Sequence, residues 1–166
     1  MKKGKKYNLV KRNIAISMLL GMFLNNLTFT NELIKVRNGS SARVITAPNG
    51  TPMIELADPN GNRISVNDFD RLSVDEKNLI LNNISSKEGI GYRSELGGII
   101  APNENYTGNP ARAILLRVHK DPSVINGFIE AASTGKVDMF LSNPNGRYLN
   151  GGLVGRFGNV TFTTGH

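Results

Sequence analysis

The chain has 166 residues, of which 39% are hydrophobic and 7% aromatic, and it contains no cysteine and no tryptophan. This composition limits the chain to one modest core and excludes both a disulfide framework and a thiolate zinc site. The formal net charge is +7, but residues 1–30 hold six basic residues and no acid, so the remainder carries 14 basic and 13 acidic residues. A folded domain without a net basic stripe is not typical of nucleic-acid binders, so no nucleic-acid partner is expected.

The N-terminal segment has the form of a signal peptide. A cationic region from Met1 to Arg12 precedes an apolar stretch, residues 14–24, which ends at Asn25-Asn26. This stretch is well short of the roughly 20 apolar residues that span a bilayer. We therefore expect residues 1–30 to be removed after export, with cleavage near Thr28 to Thr30. No A-x-A motif marks the site, and an uncleaved N-terminal anchor is the alternative.

After residue 30 the chain consists of short apolar segments separated by Gly, Asn and Pro. Most of the segments alternate with period two, and the intervals between them are too short for helices, which predicts an all-β fold. The strand-like segments are residues 43–46, 53–56, 63–66, 79–81, 98–100, 113–118, 127–130, 137–141 and 159–163.

The separating residues predict compact turns. Pro-Asn-Gly occurs three times, within 47–50, 58–61 and 143–146, and Ala101-Pro102-Asn103 begins a fourth turn. Proline presets φ at the first corner, asparagine tolerates left-handed backbone, and glycine accepts positive φ. Many short strands joined by tight turns are compatible with a sandwich, a barrel or a β-solenoid.

The C-terminal third favours the solenoid. Two short strands flank an Asn- and Gly-rich corner that contains Asn150-Gly151-Gly152. In a solenoid, small residues at such corners let neighbouring coils approach closely.

This third of the chain also carries a family resemblance. Asn143-Pro144-Asn145-Gly146, with Asn150-Gly151-Gly152 and residues 159–165, resembles the NPNG…NGxGF…TLTTG block of the two-partner-secretion (TPS) domain of filamentous haemagglutinins, related adhesins and contact-dependent toxin exoproteins. Residues 64–74, 79–83, 96–103 and 109–115 resemble, in the family's order, its (I/L)SxNxFxxFxV, LILNN, LGGxIxxNPNL and xAxxIL segments. The resemblance runs from about Val44 to Gly165. It implies a right-handed parallel β-helix with N-terminal capping strands over residues 31–166, as the N-terminal part of such a domain.

The sequence departs from the family pattern at both asparagine-proline tetrads. The first, NPNL, is matched here with Ala101-Pro102-Asn103-Glu104, and the second is followed by Arg147 where an apolar residue is usual. If the transporter reads the leading asparagine of the first tetrad, Ala101 should weaken recognition.

The resemblance implies a role in secretion. Such a domain is exported by the Sec machinery and bound in the periplasm by the POTRA domains of an outer-membrane TPS transporter. It is then secreted or displayed at the cell surface, where a host-cell or bacterial surface is a further partner. The candidate residues serve either transporter recognition or the coil corners, and they are Asn143, Pro144, Asn145, Gly146, Pro102 and Asn103.

Two other classes remain open, a nonfunctional fragment of a longer exoprotein gene and a carbohydrate-active β-helix enzyme. An enzyme would bring charged side chains together on one face of the solenoid. His119 is expected in a solvated turn, and the acidic stretch from Asp68 to Glu76 lacks regular calcium-ligand spacing. We therefore expect no catalytic residue, no metal site and no cofactor.

Overall fold

The structure is a computed structural model that describes residues 33–165. The expected signal peptide, residues 1–30, and its cleavage site lie outside the described residues. The described part is built from β-strands, with one short 3-10 turn at Ser86–Glu88. None of its helical segments is long and apolar enough to cross a membrane.

Two five-stranded sheets form two sides of a coil. The first has the order β1-β4-β8-β11-β14, and all of its pairs are parallel except β1 with β4. Its strands are β1 (Ile34–Val36), β4 (Ile64–Leu72), β8 (Ala113–Val118), β11 (Val137–Ser142) and β14 (Phe157–Thr163).

The second five-stranded sheet has the order β13-β10-β5-β3-β2, with only β2 and β3 antiparallel. Its strands are β2 (Arg43–Thr46), β3 (Pro52–Glu55), β5 (Leu79–Asn82), β10 (Ile129–Ala132) and β13 (Leu153–Gly155).

A third, narrow side closes the coil. It consists of the parallel pair β9 (Ser123–Ile125) and β12 (Arg147–Leu149), extended by a parallel bridge between Val74 and Ile125. A separate antiparallel hairpin pairs β6 (Tyr92–Ser94) with β7 (Gly98–Ile100).

The chain visits the three sides in a fixed order. From β8 it passes through β9 to β10, and from β11 through β12 to β13, before β14 starts another coil. This repeated path with parallel neighbours is a parallel β-helix, as the sequence predicts. At its N-terminal end β1 and β2 add antiparallel to the first parallel strands, β4 and β3, which confirms the capping strands.

The interior is filled by aliphatic side chains stacked from coil to coil. In the first sheet Ile114 lies beside Met139, and Leu116 beside Leu141, each fully buried. In the second sheet Leu79 pairs with Ile129. Burial of these ladders, at roughly 25 cal/mol per Å² of apolar surface, is the main stabilising term.

The 30-residue segment between β5 and β8 covers the outer face of the second sheet. Its hairpin packs Ile100, with Tyr92 and Leu96, against the outward-facing Met53 and Ile80. This second small core makes β3, β5 and β10 buried on both faces, which explains why their residues are all buried.

The predicted strand β4 is longer than its sequence pattern indicates. Residues 63–66 were expected, but the strand continues to Leu72. The inward-facing Asn67 interrupts the apolar alternation. It is tolerated there because its Oδ1 accepts a hydrogen bond from the Ala57 N–H at 2.9 Å.

Candidate functional site

The turn Asn143–Gly146 lies where β11 leaves the first sheet and the chain turns toward β12. The Gly146 N–H donates to the Asn143 carbonyl at 3.2 Å, and Gly146 has a φ of 101°. Pro144 and Asn145 occupy the two corners and are exposed. This is the compact turn that the sequence predicts.

The side chain of Asn143 is fully buried and joins two coils. Its Nδ2 donates to the Asp121 carbonyl at 2.9 Å and to Ser123 Oγ at 2.8 Å, both in the preceding coil. Its Oδ1 accepts from the Asn145 N–H at 3.0 Å. The motif therefore has an inner residue that holds the corner and two outer residues, Pro144 and Asn145, that a partner can contact.

The turn expected at Ala101–Glu104 lies two residues further along. Here Asn103 opens the turn, because the Tyr106 N–H donates to the Asn103 carbonyl at 3.1 Å and the Asn105 N–H donates to Asn103 Oδ1 at 2.9 Å. Pro102 precedes the turn. This turn therefore has no proline at its corner. It is stabilised by the asparagine side chain, which accepts a hydrogen bond from the backbone N–H two residues later.

Asn103 is thus the structural counterpart of Asn143. It is 2% exposed, and its Nδ2 donates to the carbonyls of Leu56 at 3.0 Å and Asn82 at 2.9 Å. Glu104 stands at the position that Pro144 holds in the other turn. The first asparagine of this turn is therefore Asn103, and Ala101 lies before the turn. The expectation that Ala101 replaces the leading asparagine of the tetrad is wrong.

A buried carboxylate supports this turn from below. Glu55 on β3 is 2% exposed and accepts hydrogen bonds from the Glu104 N–H at 2.7 Å and from Asn82 Nδ2 at 3.0 Å. Burial raises the pKa of Glu55 above its usual value, while these hydrogen bonds and Arg43 oppose the shift. The sequence offered no signal for this role, because a lone glutamate at the end of a strand is ordinarily exposed.

The other two Pro-Asn-Gly turns differ from each other. Gly50 closes the turn from Ala47 as predicted. Its N–H donates to the Ala47 carbonyl at 2.9 Å, and its φ is 89°. The turn expected at Asp58–Gly61 is shifted. It runs from Asn60, whose carbonyl accepts from the Arg63 N–H at 2.8 Å and whose Oδ1 accepts from the Asn62 N–H at 3.0 Å.

The two tetrad turns lie at different corners of the coil. Asn143 bonds to the approach to β9, on the third side, whereas Asn103 bonds to the ends of β3 and β5 in the second sheet. They share no hydrogen-bond partner among the described residues. The structure therefore places the six predicted residues in or next to two separate turns.

A glycine corner stacks the coils where the third side meets the second sheet. A Cβ built on Gly127 would lie 1.9 Å from the Asp75 carbonyl oxygen, and one built on Gly151 would lie 1.8 Å from the Gly127 oxygen. Only glycine permits this approach. The expectation that small residues at the Asn-Gly corner let neighbouring coils meet is confirmed.

A second buried carboxylate, Glu130 on β10, holds the hairpin loop. It is fully buried, accepts from Ser94 Oγ at 2.6 Å, and accepts from the N–H groups of Glu95 at 3.0 Å and Leu96 at 2.9 Å. Charge-assisted bonds of this kind are about twice as strong as neutral ones. Sequence reasoning missed this residue as well.

Charged side chains cross the outer face of the first sheet. Asp68 accepts hydrogen bonds from Arg117 Nε at 2.8 Å and from Arg117 Nη2 at 2.7 Å. Its Oδ1 also lies 2.7 Å from His119 Nε2. Burial raises the pKa of Asp68, but the bonds from Arg117 and His119 outweigh it and lower the pKa below its usual value. His119 lies in the loop after β8, as expected, but its side chain is half-buried and held by Asp68 rather than surrounded by solvent. Within residues 33–165 no three His, Asp or Glu side chains are grouped to hold a metal.

The fold and the turns define the class of this protein. It is a parallel β-helical module whose coils are joined at their corners by buried asparagines. Comparison with known proteins then shows the family. Residues 31–166 match the TPS secretion domain model, so the chain belongs to the TPS secretion domain family. The crystal structure of the filamentous hemagglutinin secretion domain is similar to it with a TM-score of 0.69 and 31% identity, over 80% of this chain and 42% of that chain. This likeness supports the β-helix fold that the sequence predicts.

Several curated proteins are similar over most of this chain. The tRNA nuclease CdiA of Yersinia mollaretii is 34% identical over 133 residues, 80% of this chain and 4% of that protein. Filamentous hemagglutinin of Bordetella pertussis is 34% identical over 124 residues, 74% of this chain and 3% of that protein. Hemolysin of Serratia marcescens is 31% identical over 71% of this chain and 7% of that protein. The chain therefore spans only a few per cent of the curated relatives it matches.

Proposed function

We propose that residues 31–166 target an exoprotein for secretion by binding a dedicated outer-membrane TPS transporter in the periplasm, through its POTRA domains, after Sec-dependent export. The observation that carries the proposal is the match of this segment, over its whole length, to the TPS secretion domain family. The product is secreted or displayed at the cell surface, where it meets a host-cell or bacterial surface.

The tetrad turns are the contact points in this proposal. Pro144 and Asn145 stand exposed on the turn that Asn143 holds, and Glu104 stands exposed in the same way beside Asn103. Asn105 is half-buried, because its Nδ2 donates to the carbonyls of Ser41, Glu55 and Leu56 at 3.1–3.2 Å. Rigid display lowers the entropy that binding would otherwise cost.

We propose further that this segment is not catalytic. The carboxylate of Asp68 is neutralised by Arg117 and His119, and Asp70 is paired with Lys120 at 2.8 Å. Paired carboxylates of this kind serve as cross-links between coils. The nuclease activity in the names of some relatives belongs to proteins of which this chain spans about 4%.

A secretion assay tests the proposal. The full-length chain is expressed beside the TPS transporter encoded nearest to it, and the culture medium is probed for the product. The double variant Pro144→Ala, Asn145→Ala should reduce release several-fold. Asn62→Ala, in the similar turn Asn60–Arg63, is the matched control and should leave release unchanged. Far-ultraviolet circular dichroism of the purified variants verifies that they fold.

The register of the first tetrad has its own pair of variants. Ala101→Asn should not improve release, because residue 101 lies before the turn, whereas Glu104→Ala, at the exposed corner of the turn, should lower it. Retention of the unaltered chain in the periplasm with every transporter supplied would contradict the proposed function. It would then favour a nonfunctional fragment of a longer exoprotein.

A further inference from the structure

A groove of about 840 Å³ crosses the outer face of the first sheet, and one of its ends reaches Ser142, the residue before the turn Asn143–Gly146. Its floor is formed by the outward-facing Ile64 on β4, Ala113 and Leu115 on β8, and Phe140 on β11. Adjacent strands bring these residues together, since Ala113 pairs with Ile64 and Phe140 with Leu115. The volume is within the roughly 300–1,000 Å³ typical of small-molecule sites.

The floor has no free backbone hydrogen-bonding groups to offer a ligand. The N–H and C=O groups of β8 are paired with β4 on one side and β11 on the other. An extended peptide lying across such a floor would find no backbone partners there, whereas an alkyl chain requires none. The floor therefore favours a ligand whose body is hydrocarbon.

One end of the groove is positively charged. Arg112 lines the groove, and with Arg63 it also lines an adjoining recess of about 460 Å³. Within residues 33–165 neither guanidinium is paired with a carboxylate; Arg63 Nε donates to the Pro110 carbonyl at 2.9 Å. A guanidinium pair of this kind suits a carboxylate or phosphate.

The acidic groups near the groove are already bonded. Asp138 Oδ1 accepts from the Asn159 N–H at 2.7 Å and from Asn159 Nδ2 at 3.3 Å. At the opposite end Asp68 is held by Arg117 and His119. These amide bonds leave the charge of Asp138 in place, so this end of the groove has two positive charges, those of Arg63 and Arg112, against one negative charge.

We propose that this groove binds a single-chain acyl anion, with its hydrocarbon over Leu115 and Phe140 and its anionic head at Arg63 and Arg112. The proposed ligand is a free amphiphile, and the vesicle experiment below distinguishes it from a membrane lipid. This binding goes beyond the transporter recognition proposed for the tetrad turns, and its head-group end at Arg112 lies at the start of β8, whereas Ser142 lies at the end of β11.

Titration calorimetry of the folded chain with oleate, below its micelle concentration, tests the proposal. Saturable binding of about one oleate per chain is expected, with methyl oleate and acetate each binding at least tenfold more weakly. Arg112→Gln and Phe140→Ser should each weaken oleate binding about tenfold. Arg147→Gln, an exposed arginine on β12, is the matched control and should not change it.

Three results of the titrations would overturn the proposal. They are the absence of saturable oleate binding, equal binding of methyl oleate, and equal loss of binding in Arg147→Gln. Thermal unfolding of each variant separates loss of the site from loss of the fold. Co-sedimentation with phosphatidylglycerol vesicles in the absence of oleate binding would likewise overturn it, since the surface would then recognise a membrane.

Discussion

Asn143 Nδ2 donates a hydrogen bond to Ser123 Oγ at 2.8 Å, so the first residue of the exposed tetrad is joined to the preceding coil of the helix. Ser123 is itself fully buried at the start of β9. The surface presented by Pro144 and Asn145 is therefore coupled to the stacking of its coil on the preceding one, and a change in Asn143 affects both.

Replacing Asn143 should weaken this coupling between coils. Asn143→Ala leaves Ser123 Oγ and the Asp121 carbonyl without their partner in a buried site, and such losses cost about 1–3 kcal/mol each in uncompensated cases. We expect the free energy of unfolding to fall by ~2 kcal/mol, measured by urea denaturation. Asn145→Ala removes an exposed side chain and should change it by less than about 0.5 kcal/mol. Equal losses in the two variants would show that the buried bonds contribute little.

Gly127 should tolerate no side chain. Alanine there would place its Cβ 1.9 Å from the Asp75 carbonyl oxygen, so two coils must separate to accept it. We expect Gly127→Ala to lower the free energy of unfolding by more than ~2 kcal/mol, by the cost of overpacking. Gly135 has nothing within 4 Å of the corresponding position, and Gly135→Ala should be neutral or slightly stabilising. A neutral Gly127→Ala in thermal unfolding would refute the close stacking.

Glu130 should control the hairpin β6–β7. Glu130→Ala removes the acceptor for Ser94 Oγ and for the N–H groups of Glu95 and Leu96. Hydrogen exchange at Leu96 should accelerate by at least about tenfold, because an unpaired buried donor costs ~1–3 kcal/mol and favours opening of the loop. Glu95→Ala, at an exposed side chain, should leave the exchange rate unchanged. Equal rates in both variants would contradict the anchoring role.

Asp68 should make stability depend on pH in the acid range. Its pKa is lowered in the folded state, so its contribution is present above the usual carboxyl pKa of about 3.9 and is lost as the pH falls through the folded value. At pH 6, Asp68→Asn should lower the free energy of unfolding by ~1–2 kcal/mol, by loss of charge-assisted bonds to Arg117 and His119.

The difference between the unaltered chain and Asp68→Asn should shrink between pH 5 and pH 2, measured as urea midpoints. Asp121→Asn is the matched control. The ion pair of Asp121 with Arg71 is 42% and 44% exposed, so its loss should change stability by only ~0–1 kcal/mol. A difference for Asp68→Asn that stays constant across this range would show that its ionisation is not linked to folding.

The sequence by itself determined the class of fold and the family. Period-two apolar segments such as Val137–Leu141, punctuated by turn residues, are sufficient for an all-β prediction, because side-chain alternation is a local property of a strand. The ordered motifs from residue 64 to residue 165 were sufficient for the resemblance, and the family match confirms it. The Asn-Gly corner at Gly151 was also readable, since only glycine allows so close an approach.

The tertiary structure alone decided the register of the turns and the roles of the buried polar residues. Pro102 looked like a corner, yet the turn begins at Asn103 because its side chain is held by carbonyls of Leu56 and Asn82, the nearer of which lies 21 residues away in sequence. Glu130 likewise binds a loop more than 30 residues earlier in the chain. Such contacts depend on which coils become neighbours, and a local pattern of residues carries no information about partners so distant along the chain.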